Sequence, residues 1–210
     1  LGLAFTPYVD GEVLEAGVEE AVRAGVGADV PLLMGATAHE FTEMGEEFSP
    51  LLATGTVTDA LRSTALAPVA EDYVRAHADL PGGDAAVVGQ LVTDTLFRIP
   101  MVRWAGLRAD APTWLYDFRW VHAGTGLASH CAELPFVWDN LGGERVPHSC
   151  GPDAPQELAE AMHGVWVEFV RSHRAPWPEW SEDAVAMVFD DAPAARPVYE
   201  LERRLALALG

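Results

Sequence analysis

The spacing of apolar and polar positions changes several times along the chain. After Asp10-Gly11, a tight-turn pair, Val18, Ala21, Val22 and Val26 recur at helical intervals. Val30 to Thr37 is a short apolar run containing Gly35, and its length and lack of alternation predict a strand buried on both faces. From Thr56 to about His77, and from Asp84 to about Leu107, apolar residues return at helical spacing, punctuated by Pro68, Pro81 and Pro100. The aromatic-rich run from Thr113 to Trp120 predicts a second strand, followed by a Gly-containing loop from Ala123 to Ala128. Asp153-Ala154-Pro155-Gln156 predicts a helix start with Asp153 as cap, and Leu158, Met162, Val165, Trp166, Phe169 and Val170 then form one apolar stripe. Ala186 to Asp190 and Pro197 to Leu201 predict brief strands, and Leu201 to Leu209 a last helix. Strands alternating with helices in this order place the chain in the α/β class.

Charge narrows the partners. The 210 residues carry 13 basic against 32 acidic side chains, a net charge of −19, and every basic residue is arginine. That balance excludes phosphate neutralisation as a way of binding nucleic acid and argues against docking on an anionic membrane. With no lysine, Schiff-base and P-loop chemistry have no nucleophile or phosphate ligand. Each of the longest apolar runs meets an Arg, Asp or Glu before eighteen residues, so no membrane-spanning helix is expected. No signal peptide is visible, and the compartment is left open with the cytoplasm favoured. The start at Leu1 reads as the interior of a larger protein, which leaves any targeting segment upstream open.

Two clusters carry candidate chemistry. Ala38-His39-Glu40 follows the first predicted strand, where α/β sheets gather their functional residues; among Glu40, Glu43, Glu46 and Glu47, the same carboxylate also reads as an acidic helix start. Ser129-His130-Cys131-Ala132-Glu133 follows the second strand's loop, and a loop histidine is free to enter a cleft. Hydrolases built on α/β sheets need a histidine base held by a carboxylate, in chain order nucleophile, acid, histidine. Glu40 and His130 stand in that order. His130, Cys131, Glu133, His148 and Cys150 also include zinc-ligand types, but no compact ligand pair. Cys131 reads as either a reactive thiol or a small packed residue, and a Cys131–Cys150 disulfide is left open.

With their flanks, these residues make the chain resemble the C-terminal half of a type-B carboxylesterase, the family of para-nitrobenzyl esterases and cholinesterases. Pro31-Leu32-Leu33-Met34-Gly35 with Glu40 resembles the strand leading to the family's Asp-Glu-Gly acid segment. Thr93-Asp94-Thr95-Leu96-Phe97-Arg98-Ile99-Pro100 and Trp114-Leu115-Tyr116-Asp117-Phe118 resemble its D-x-x-F-x-x-P helix and aromatic strand. Ala128 to Trp138 resembles its histidine block, the most specific match, and Trp166 to Val170 and Trp177 to Trp180 resemble its late tryptophan positions. The resemblance implies an incomplete α/β-hydrolase sheet over residues 1–210, Glu40 as triad acid and His130 as general base. It implies a small ester as substrate and no metal or organic cofactor. Phe97, Met101, Phe136 and Trp138 are candidate pocket walls, with plain core as the alternative for each.

Departures are specific. His39-Glu40-Phe41 stands where the family has Asp-Glu-Gly, and Cys131 where glycine follows the histidine. None of the six serines, Ser49, Ser63, Ser129, Ser149, Ser172 and Ser181, has the flanking glycines of a nucleophile elbow. Gly82-Gly83 and Gly142-Gly143 read as ordinary turns, not an oxyanion segment. The N-terminal half of the same enzyme is therefore the expected partner, carrying the serine, with this chain inactive alone. An open sheet edge and an unpartnered stripe on the 158–170 helix would follow from such a half-fold. The rival reading is a non-catalytic, cholinesterase-like interaction protein.

Overall fold

The structure, a computed structural model, describes residues 7–48, 55–108, 110–144 and 146–209. In chain order, α1 (Val18–Arg23) precedes strand β1 (Leu32–Thr37). Between β1 and β2 (Thr113–Phe118) lie α2 (Gly45–Phe48), α3 (Val57–Arg62), α4 (Ala70–Ala76), α5 (Gly83–Thr93) and α6 (Ile99–Leu107). Then come α7 (Leu134–Val137), α8 (Val146–Ser149), α9 (Gln156–Ser172), β3 (Val185–Phe189), β4 (Ala194–Pro197) and α10 (Glu200–Leu209). The sheet runs in the order β1-β2-β3-β4, with β1, β2 and β3 parallel and β4 antiparallel to β3. Helical crossovers make the parallel pairs possible, as the α/β reading requires.

All six residues of β2 are buried, and they alternate between two faces. Trp114, Tyr116 and Phe118 join an aromatic core with Phe136, Trp177, Phe189 and the buried residues of α9. Leu115 faces the other way, into a core with Met101, Val102, Val188 and Tyr199. A third cluster joins α3, α4 and α5 to Leu205 of α10. β1 differs from expectation. Only Ala36 and Thr37 are buried there, because among the described residues β1 pairs with β2 alone and its other edge has no neighbour.

Several boundaries move for identifiable reasons. The helical stretch from Thr56 to His77 divides around Pro68, and Thr56 caps α3 in a reciprocal capping box with Asp59. Pro100, expected to punctuate, instead sits in the first turn of α6 after a π-turn over Asp94–Arg98. Proline removes one N–H and its ring clashes with the preceding turn, and the wider π-turn absorbs both. Gly83–Leu107 thus becomes one 25-residue helical stretch, long and apolar enough by length and composition to cross a membrane, contrary to expectation. Two-thirds of its apolar window (67%) is buried within this chain, where Asp94 and Arg98 pair with buried partners.

Asp153 does not cap α9. Pro155 occupies that position, and the Gln156 amide donates to Asp139 at 2.6 Å instead of closing a capping box. On the α9 stripe Leu158 and Met162 are buried, Val165, Trp166 and Phe169 half-buried, and Val170 is 73% exposed. The last strand is Ala194–Pro197 rather than Pro197–Leu201. Tyr199, at φ 64, turns the chain out of extended geometry and into α10.

Candidate active site

The acid segment is built on the core. Past β1, the Ala38 N–H donates to Phe118 O at 2.8 Å, so the chain follows β2 one residue beyond the strand. Glu40 then turns inward. Its carboxylate is 6% exposed, and Oε1 accepts the Thr37 N–H at 2.8 Å. Helix α5 packs directly beneath. Thr93 Oγ1 accepts the Phe41 N–H at 2.8 Å, Thr42 Oγ1 donates to Gln90 Oε1 at 2.6 Å, and Gln90 Nε2 donates to Ala38 O at 3.0 Å. A Cβ at Gly89 would stand 2.5 Å from the backbone oxygens of Phe41 and Thr42, so only glycine permits this approach.

Behind the segment lies a buried guanidinium. Arg98 Nη1 donates to Asp117 Oδ1 at 2.9 Å and to Thr37 O at 3.2 Å, and Nε donates to Glu202 Oε1 at 2.7 Å. Its guanidinium also lies 4.7 Å from the Tyr199 ring centroid. Asp117 stays below the usual carboxylate range although burial pushes it up, because Arg98 and Arg119 donate to it. Asp94 is pushed up to about 7 by burial and by Glu202, and accepts the Tyr73 hydroxyl at 2.7 Å. This cluster was missed in the sequence. Two charges four residues apart in a mainly apolar helical stretch were the available signal.

The histidine segment is more open. His130 Nδ1 lies 2.6 Å from Glu40 Oε2, and the His130 side chain is 48% exposed. In this geometry Nδ1–H donates to the carboxylate, which leaves Nε2 as the nitrogen able to take a proton. The Phe41 and Phe97 rings flank the imidazole, with centroids 5.4 and 5.8 Å from it. Ser129 Oγ donates to Glu43 Oε2 at 3.3 Å. Glu133 Oε2 is buried without a hydrogen-bond partner among the described residues, and burial, then the Glu40 charge, push its carboxyl up while His130 acts against them.

The structure brings Glu40, His130 and Phe97 together. Met101 and Phe136 lie in two different cores, each pointed inward by its helix. Trp138 is 71% exposed on a surface groove with His163, Trp166 and Val170. The reading of Cys131 as a packed residue and the Cys131–Cys150 disulfide both fail: the two cysteines are not joined, Cys131 is exposed, and Cys150 is buried with its Sγ donating to Ala132 O. Partial burial and the Glu133 and Glu40 charges push the Cys131 thiol up, away from a reactive thiolate. Cys131 has φ 62, a left-handed conformation that favours the glycine it replaces. Among the described residues no three His, Cys, Asp or Glu are grouped as a metal would require. Ser49 and the side chains of His148 and Ser149 lie outside the described residues.

Comparison with known proteins extends this geometry. The family model described as the carboxylesterase family matches residues 2–193. The chain is 30% identical over 190 residues to a para-nitrobenzyl esterase of Bacillus subtilis (strain 168), covering 86% of this chain and 38% of that protein. It is 28% identical over 204 residues to a fumonisin B1 esterase of Sphingopyxis macrogoltabida, covering 87% and 36%. Among solved structures, a Geobacillus stearothermophilus carboxylesterase superposes with a TM-score of 0.75 at 26% identity, over 96% of this chain and 45% of that one. The chain therefore spans less than half the length of each of these relatives.

Proposed function

This chain belongs to the carboxylesterase family and has its α/β-hydrolase fold, and from that premise we propose that it supplies the acid and base of a serine esterase. The single observation that supports the reading is the 2.6 Å approach of His130 Nδ1 to a buried, backbone-anchored Glu40. In this reading a serine from the N-terminal half of the same enzyme attacks the carbonyl of a small ester. His130 Nε2 takes the hydroxyl proton and returns it to the departing alcohol, while Glu40 orients the ring and stabilises its cationic form. Water then attacks the acyl-enzyme, with His130 again as base, and releases the acid. No step requires a metal or organic cofactor.

The open edge of β1 is where the rest of the sheet would add, since a parallel strand there would give β1 the second neighbour it lacks among the described residues. Phe97 and Phe41 are the apolar surfaces beside the base and the candidates to meet the ester. The test is hydrolysis of a chromogenic ester by the full-length protein, by its Glu40→Gln variant, and by residues 1–210 alone. The reading expects turnover by the first, a loss of at least about a hundred-fold in the second, and none by the third. A burst of product from residues 1–210 alone, or full activity in Glu40→Gln, would contradict it.

A further inference from the structure

Glu40 and His130 sit on segments that leave different strands, and beyond the strand ends a single residue joins the two backbones. The His39 N–H donates to Ala128 O at 3.0 Å, and His39 Nδ1 accepts the Ala128 N–H at 3.0 Å. One residue before the acid is thus bonded twice to the residue two before the base. His39 and Ser129 form an isolated parallel bridge at the same point. Ala128 is fully buried, so its N–H and C=O have no water to fall back on and each depends on its His39 partner. We infer that His39 is a positioning residue: its backbone N–H and the Nδ1 of its neutral imidazole, each bonded to Ala128, set the separation of the Glu40 carboxylate and the His130 ring. The inference rests on the reading of those two groups as the working acid and base.

The chemistry of the contact requires the neutral form. A ring nitrogen that accepts an N–H must be unprotonated, so the proton of His39 lies on Nε2. A cationic ring would set one N–H against another. The surroundings favour neutrality: burial, then Arg98 of the π-turn, bring His39 down to about 4, helped by His77 at the end of α4 and Arg119 beyond β2, with Asp117 of β2 acting against them. The aspartate of the resembling motif also offers an acceptor, but adds a negative charge next to Glu40. Imidazole supplies the acceptor without adding that charge.

Two variants of the full-length protein separate this role from simple packing. His39→Asn keeps a side-chain oxygen able to accept the Ala128 N–H, and His39→Leu keeps bulk without an acceptor. The readouts are the far-downfield proton resonance of the His130 Nδ1–H and the kcat and KM for a chromogenic ester. His39→Leu is expected to lose or broaden that resonance and to lower kcat about a hundred-fold, as an ångström of misplacement does, with KM within about two-fold. His39→Asn is expected to keep both near wild type. An unchanged resonance and kcat in a folded His39→Leu protein would overturn the proposal. If that variant does not fold, His39→Asn decides: losing the resonance overturns the proposal, keeping it supports it. Absence of the resonance in the wild-type protein, with activity surviving His130→Ala, would instead overturn the acid–base reading.

Discussion

The acid-bearing segment, residues 37–43, and the histidine-bearing segment, residues 127–133, meet at the Glu40–His130, His39–Ala128 and Glu43–Ser129 hydrogen bonds but are held in opposite ways. Around Glu40 almost every polar group has a buried partner, and α5 approaches to the contact distance that glycine permits. His130 is half in water, flanked by two aromatic rings and registered through Ala128. In the proposed reading the difference matches the two tasks. A carboxylate that only orients is best immobile, whereas a base that receives and returns a proton must reach substrate. Rigidity on one side lets the other remain accessible.

Changes on the two sides should therefore separate activity from stability. The largest effect is expected from His130→Ala in the full-length protein: kcat falls about a million-fold, while denaturant unfolding shows a loss of only about 1 kcal/mol. Arg98→Met tests the buried side. It leaves Glu202 without its cation and Asp117 with Arg119 alone, and urea unfolding should report a loss of about 3–5 kcal/mol. If Arg98→Met cost no more than His130→Ala, the contrast between the two segments would fail.

The contact between the segments predicts a pH effect. The imidazole of His39 is brought down from 6.5 to about 4 in the folded protein. As pH falls below 6.5, the unfolded chain takes up this proton first, so stability drops through that window and levels off below about 4, by roughly 3 kcal/mol in total. Asp94, raised to about 7, acts with the opposite sign over an overlapping range. The measurement is therefore the unfolding free energy of wild type minus that of His39→Asn from pH 7 to pH 4, a difference from which Asp94 cancels. A flat difference would mean that position 39 does not titrate as described. The smallest effect belongs to Cys131→Gly, which relieves a left-handed residue and should raise stability by about 1 kcal/mol in thermal unfolding.

Much of this arrangement was legible in the residues themselves. Period and turn chemistry located β1, β2 and the long helices, and chain order with flanking motifs paired Glu40 with His130. What stayed hidden depends on contacts between residues far apart in sequence. Pro100 read as a break because nothing local reveals the π-turn that accommodates it. Met101 and Phe136 read as either pocket walls or plain core because an apolar side chain carries no mark of which face it will turn to, and the structure places them in two cores. His39 read as a departure from a motif, since its partner lies 89 residues away. Likewise Arg98 finds Glu202 across 104 residues, and no spacing rule predicts that meeting.

The most direct test is fluorophosphonate labelling of the full-length protein, followed by mass spectrometry of its peptides. The account predicts a single modified serine lying outside these 210 residues, with labelling abolished by His130→Ala. An adduct on any of the six serines of this chain, or labelling that persists in His130→Ala, would contradict it.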